Sequence, residues 1–440
     1  MSPSRDCLLA GLIRDPETEA LLGATAEVAA LLEVEAALAL AEADCGLIPA
    51  EAAARIADAA RLLTPDLEAL KAGMGRDGVP VPALVAALRQ AVPAEDAGYV
   101  HWGATSQDIV DTALVLRLAR ILDLFETRLK ALALALGALA EAHRATPIAA
   151  RTRMQQATPT SFGLKVAGWV LPLTRHLDRL AELRPRLLAV SLGGASGNLA
   201  ALGPEALAVE ARLAARLKLT TLALPWHTAR DTMLELGSLL ALITGSLGKM
   251  GQDVVLLAQN EIGEVSLAGA GGSSTMPNKA NPVAAEVLIA LARSTGGLAG
   301  VLNQAALAEQ ERSGAAWLIE QLHLPDMLLQ TGAALATAAD LVAGLSVNEA
   351  AMRATFEAAQ GLMLAEAASF ALADHMPRSA AQALVKTACA EALTSGQNLI
   401  DVLRTKASAP IDWDSLKDPA RHLGAADALI GRALEALRRG

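Results

Sequence analysis

The stretch 104-ATSQDIVDTALVLRLARILDLFETRLKALALALGALAE-141 decides the fold. Apolar side chains recur along it at helical spacing, and no proline intervenes. Thr105, with Asp108 three residues on, makes a capping-box-like start, and the next stop is Thr146-Pro147. One helix over this span is about 55 Å long at about 1.5 Å per residue. It is apolar on more than one face, so it needs neighbours on several sides.

The same reading gives two more long helices. One runs from about Thr228, with Asp231 three residues on, to about Ala268. The other starts at Asn281-Pro282, an N-cap followed by proline at the first helical position, and continues to about Arg312 with an irregularity at Gly296-Gly297. Strand-like alternation is nearly absent. The expected class is therefore all-α, and a bundle completed by other subunits satisfies helices this long most economically. Residues 1–103 hold shorter helices broken by Pro49, Pro65, Pro80, Pro82 and Pro93, and short helices return after about Ser346. The expected division is an N-terminal helical domain over 1–103, a central long-helix domain over 104–346 and a small C-terminal helical domain over 347–440.

Composition narrows the function. Of 440 residues, 53% are hydrophobic and only 2% aromatic, so alanine and leucine fill the core. The balance of 37 basic and 47 acidic side chains, net −10, with no long block of one sign, argues against a nucleic-acid partner. Cys7, Cys45 and Cys389 are odd in number and far apart, which fits a reducing compartment and neither a disulfide scaffold nor a metal site. Met1 to Arg14 lack the order of a signal peptide, and apolar stretches such as Leu236 to Leu247 fall short of the about 20 residues that cross a bilayer. The expected setting is cytoplasmic, with no membrane partner.

Five segments could carry chemistry. Gly269 to Pro282 is a glycine- and serine-rich loop feeding a helix, but it lacks the G-x-x-x-x-G-K-[S/T] order of a phosphate loop. It reads either as an ordinary connector or as a mobile loop bringing Ser273, Ser274, Lys279 and Asn281 over an anionic substrate. His101 to Asp108 crowds Thr105, Ser106 and Gln107 at a helix start, where capping and carboxylate binding both fit. Arg151 and Arg153, with Gln155 after them, stand before a proline turn and either bind carboxylates or are solvated. His227, Arg230 and Asp231 form a fourth cluster, and Glu311-Arg312 a fifth. The histidines show no metal-ligand spacing, so no metal is expected.

Taken together and in order, these segments resemble the fumarase/aspartase superfamily, whose G-S-S-x-M-P-x-K-x-N loop matches Gly272 to Asn281. The Thr105-Ser106-Gln107-Asp108 and Arg151-Thr152 segments fall at the expected places. The resemblance implies a homotetramer with a twenty-helix core, each active site being shared between subunits, and proton transfer at a carbon next to a carboxylate. Ser273 corresponds to the loop serine that acts as base; a hydroxyl needs Lys279, backbone N–H groups and helix ends to favour its ionised form. Lys279, Asn281, Thr105, Ser106 and Gln155 would bind substrate carboxylate. Gln107, Arg151, His227, Arg230, Ser274 and Arg312 complete the binding candidates, and His101 and Arg153 join Ser273 and Lys279 as candidates for the chemistry.

Within the superfamily, His101 to Asp108, Leu224 to Asp231, Gly361 to Glu366 and Leu423 to Asp427 look most like its muconate-cyclising branch. That implies a tricarboxylate substrate and no cofactor. One departure supports this branch. Many relatives carry a histidine two residues after the arginine of the Arg151-Thr152 segment, where it protonates a leaving group; here that position is Arg153. Such acid catalysis contributes about 10²- to 10⁴-fold. A lactone, however, opens by expelling a carboxylate, whose conjugate acid has a pKa near 4 and leaves without a proton. Trp317 and Gln321 stand where adenylosuccinate lyases bind nucleotide phosphate, while Asn278 and Ala229 depart from common loop and helix-start residues. Another lyase of the superfamily, adenylosuccinate lyase-like, a cycloisomerase of a sulfonated muconate and a non-catalytic member of the fold are the alternatives.

Overall fold

The computed structural model describes residues 8–269, 271, 272, 276 and 279–439. Ser273, Ser274, Asn278 and Cys7 lie outside them. Five long helices follow residue 103 among the described residues: Ser106–Ala142, Phe162–Leu187, Asp231–Leu257, Val283–Leu302 and Gly314–Ala343. The chain divides into two compact units, one of 1–128, 176–245 and 291–336, the other of 129–175, 246–290 and 337–440. The all-α expectation holds.

The first long helix begins two residues later than expected, and only the acidic half of its capping box forms. Asp108 accepts the Thr105 N–H at 2.9 Å, while the Thr105 hydroxyl is engaged by Arg312 instead. The second ends at Leu257, well before Ala268. Gly263, at φ +57°, supports a turn there, and the chain then pairs as a strand. The third is uninterrupted at Gly296-Gly297 but stops at Leu302, followed by a short 3-10 turn and an extended segment in which Gln310 is left-handed at φ +53°. Two long helices escaped the sequence reading, and both run through proline, Pro172 in one and Pro325 in the other.

In the first unit the core centres on the helix Ala24–Asp44, buried along most of its length and packed against Ala50–Leu62 and Ala206–Leu217. Burial on every side explains its lack of an apolar face. Within this unit the Asp231–Leu257 helix approaches Leu302 so closely at Gly237 that a Cβ there would collide with it. In the second unit a Cβ on Gly251 of the same helix would lie 2.7 Å from the Ala285 carbonyl oxygen. Asp231–Leu257 and Val283–Ala306 are each long and apolar enough to cross a bilayer, more than Leu236 to Leu247 alone suggested. At Gly237 and Gly251 the first of these helices packs on protein.

The second unit also holds a cluster around Leu364, Ala388, Ile400 and Leu403. Short strands punctuate its helices. Strands β1 (Pro147–Thr152) and β2 (Gln155–Ser161) form a hairpin; β3 (Val265–Leu267) pairs with the last strand, and β4 (Gly271–Gly272) with β5 (Ala280–Asn281). That last strand is β6 (Leu345–Val347). The proline turn expected after Arg153 is instead this hairpin: Pro159 lies inside β2, opposite Ala149.

Candidate active site

Each unit carries one set of the residues singled out in the sequence. In the first unit Asp108 is the hub. It is buried and collects four donors: the N–H groups of Thr105, Gly193 and Gly194 at 2.9, 2.8 and 3.0 Å, and His227 Nε2 at 2.6 Å. A carboxylate with that many donors ties the start of the long helix to the loop at 193–194 and to His227. A Cβ on Gly193 would sit 2.8 Å from the His227 ring, so only glycine lets the loop approach so closely.

Arg312 reaches across this assembly. Its Nη1 donates to the Thr105 hydroxyl at 3.2 Å and its Nη2 to the Gly194 carbonyl at 3.0 Å, while the residue as a whole stays exposed. Thr105 and Ser106 are half-buried at the helix N-terminus, where unpaired backbone N–H groups and the helix dipole favour an anion. His101, five residues before Ser106, hydrogen-bonds Glu35 at 2.7 Å. Thr105, Arg312 and the 193–194 loop are thus tied together around the start of the Ser106–Ala142 helix.

Two candidates of this unit turn inward. Gln107 is buried and donates to Asp111 and to the His227 carbonyl at 3.1 and 3.0 Å. Arg230 is buried between Asp111 and Glu320, with bonds of 2.5 to 3.2 Å, and its guanidinium lies 4.6 Å from the centre of the Trp226 ring. Burial disfavours its charge, but Asp111 and Glu320 outweigh that and hold its pKa above the ordinary arginine range. Trp317 completes the network by donating to Asp111 at 3.0 Å. These side chains form one buried network.

In the second unit Arg151 forms a two-pronged pair with the fully buried Glu264, at 2.8 and 2.9 Å, and Thr355 donates to the same carboxylate at 3.1 Å. Arg153 stands elsewhere. It and Met154 form the two-residue turn of the β1–β2 hairpin, at φ +50° and +66°, the left-handed pair that such a turn requires. Both are exposed, as is Gln155 at the start of β2. Lys279 is exposed beside β5, whose Asn281 pairs with Gly271 across the base of the loop.

The sequence reading missed Glu35, Glu264, the Gly193-Gly194 pair and Lys165. Gly193 and Gly194 were visible only as breaks in an uncharged run. Glu35 gave one faint signal, an acid in an alanine- and leucine-rich run, and Glu264, after Asn260-Glu261-Ile262-Gly263, gave none. Burial holds Lys165 below the ordinary lysine range despite the opposing pull of Asp253.

The model of a family described as "Lyase" matches residues 17–297, and one described as "Adenylosuccinate lyase C-terminus" matches 361–433. The 3-carboxy-cis,cis-muconate cycloisomerase of Pseudomonas aeruginosa is 48% identical over 92% of this chain and 90% of its own. The chain belongs to the fumarase/aspartase superfamily. Another fumarase/aspartase relative, the nitrosuccinate lyase of Streptomyces davaonensis, is 40% identical over 94% of this chain and 92% of its own. Among solved structures of the superfamily, the 3-carboxy-cis,cis-muconate lactonizing enzyme of Pseudomonas putida superposes with a TM-score of 0.93 at 42% identity, covering 98% of this chain and 99% of that one.

Proposed function

We infer that the chain is a cycloisomerase that converts 3-carboxy-cis,cis-muconate to 4-carboxymuconolactone. The observation that carries this reading is the agreement of the 48% identical relative and the structure at TM-score 0.93, both named for this reaction. One carboxylate oxygen adds to the double-bond carbon bearing the 3-carboxyl group. The double-bond electrons move to the neighbouring carbon, which is stabilised by its own carboxylate and takes a proton. A C–O and a C–H bond replace the π bond, and no redox partner or cofactor is needed.

In the proposed assignment Ser273 exchanges that proton, and Lys279, Asn281 and Ser274 hold substrate carboxylate from the loop. Thr105, Ser106 and Arg312 hold another at the helix N-terminus, a reading supported by the hydrogen bond from Arg312 to Thr105 there. Arg153 supplies a permanent charge from the hairpin turn, and Gln155 extends that edge. Gln107, Arg151, His227 and Arg230 position the others, their donors being taken by Asp111, Glu264, Asp108 and Glu320. A homotetramer with shared sites, three domains bounded near 103 and 346 and a cytoplasmic setting belong to the same proposal.

The test is a panel of polyanions given to the purified protein. Loss of the muconate chromophore with lactone formation supports the reading. Turnover of nitrosuccinate or adenylosuccinate in its place would overturn it, and the 40% identical nitrosuccinate lyase makes the first of these the sharper control.

A further inference from the structure

Glu35 sits in the middle of the Ala24–Asp44 helix, 1% exposed among Leu31, Val34 and Leu38, where an acid is costly unless it is paired. Its partner is His101, whose Nδ1 lies 2.7 Å from Glu35 Oε1. The His101 backbone is left-handed at φ +62°, which is uncommon for a residue with a Cβ. Arg89 donates to the carbonyl of the preceding Val100 at 3.2 Å, so the strained segment is held from both sides.

A second acid on the same helix has no such partner. Glu42 is fully buried, and neither of its oxygens has a hydrogen-bond partner among the described residues. Burial, reinforced by the charge on Glu35, pushes its pKa up to about 9. The proton therefore stays on Glu42, while Glu35 meets the His101 ring nitrogen. A carboxylate only accepts, so Nδ1 of His101 carries hydrogen and Nε2 is the nitrogen left to face a ligand.

We propose that Glu35 is a positioning residue for the reaction, holding His101 as an imidazolium beside the Thr105–Ser106 helix start so that it adds a positive group for the substrate's carboxylates. This deepens the functional reading above and rests on it. The groups that set the charge of His101 come from three helices: Glu35 on Ala24–Asp44, Asp108 on Ser106–Ala142, and Arg89 on Val81–Gln90. Burial opposes protonation, but the Glu35 hydrogen bond, with the charges of Glu35 and Asp108, outweighs burial and Arg89, and the pKa ends above the ordinary histidine value.

The pair is tested by diethyl pyrocarbonate, which modifies neutral imidazole, with the His101 product quantified by mass spectrometry against pH. In the wild-type protein the midpoint should lie above about 6.5, and Glu35→Gln should lower it by about 1 to 3 pH units. In kinetics at a pH between the two measured midpoints, Glu35→Gln should raise KM about tenfold with a smaller change in kcat, and should add nothing in a His101→Asn background. A wild-type midpoint at or below 6.5 overturns the proposal whether or not any variant folds. So does an unshifted midpoint in Glu35→Gln, or an equal loss with and without His101. If the substrate assignment fails instead, turnover is absent in the wild type while the modification midpoints still report on the pair.

Discussion

Arg151 lays both terminal nitrogens on the carboxylate of Glu264, one of the most deeply buried acids in the chain, while Arg153, two residues on, stands exposed on a hairpin turn. The two arginines are near neighbours in sequence and opposite in situation. Arg151 faces an acid that cannot be left alone without large cost, whereas Arg153 projects a charge with no carboxylate partner among the described residues.

Arg151→Ala should therefore destabilise the fold by about 3 to 5 kcal/mol, the cost of stranding a buried carboxylate. Arg153→Ala should change stability by no more than about 0.5 kcal/mol. Urea unfolding of the two variants separates them. Equal losses would show that Glu264 does not depend on Arg151.

The same pair should divide in kinetics. Arg153→Ala is expected to lower kcat/KM by about tenfold or more through loss of a charge opposite the substrate. Arg153→His should not restore it, because an expelled or attacking carboxylate needs no proton donor. Higher turnover in the histidine variant than in the wild type would count against the fixed-charge reading.

Asp108→Asn keeps the size of the hub but removes its charge. With four donors converging on a buried carboxylate, it should lose about 1 to 3 kcal/mol in thermal or urea unfolding. Substrate affinity should fall as well, because the Thr105 end of the helix and His227 lose their common anchor. Unchanged stability would show that the four contacts are dispensable.

Glu42 predicts a pH dependence of stability. In the folded chain it keeps its proton to about pH 9, whereas an unfolded glutamate loses it near pH 4. Between these limits the folded state binds one more proton, so this residue's contribution to stability falls as pH rises. Glu42→Gln is already neutral and removes that slope. It should be more stable than the wild type at pH 8, with the difference shrinking toward pH 5, as urea midpoints at the two values will show.

The fold class was legible because a period of 3.6 over tens of residues has one structural solution. Helix ends were less so. The Asp231–Leu257 helix stops short of Val265–Leu267, which pairs with Leu345–Val347, a long-range pairing that no local pattern carries. The Phe162–Leu187 and Gly314–Ala343 helices run through Pro172, Pro185 and Pro325, since packing can outweigh a missing hydrogen bond. Among the candidates, the half-buried Thr105 and the exposed Arg153 and Arg312 were visible as residue types. Their buried partners were not: Glu35 meets His101 across 66 positions and Glu264 meets Arg151 across 113. Only folding reveals which acids hold which cations.

The most direct test of the account follows absorbance of 3-carboxy-cis,cis-muconate on adding purified wild-type protein, with Ser273→Ala and Arg153→Ala alongside and the product identified by mass and NMR. The account predicts rapid loss of the chromophore to the γ-lactone by the wild type, with turnover lower by orders of magnitude in Ser273→Ala and reduced in Arg153→Ala. A wild-type protein that leaves this substrate untouched while cleaving nitrosuccinate would contradict it.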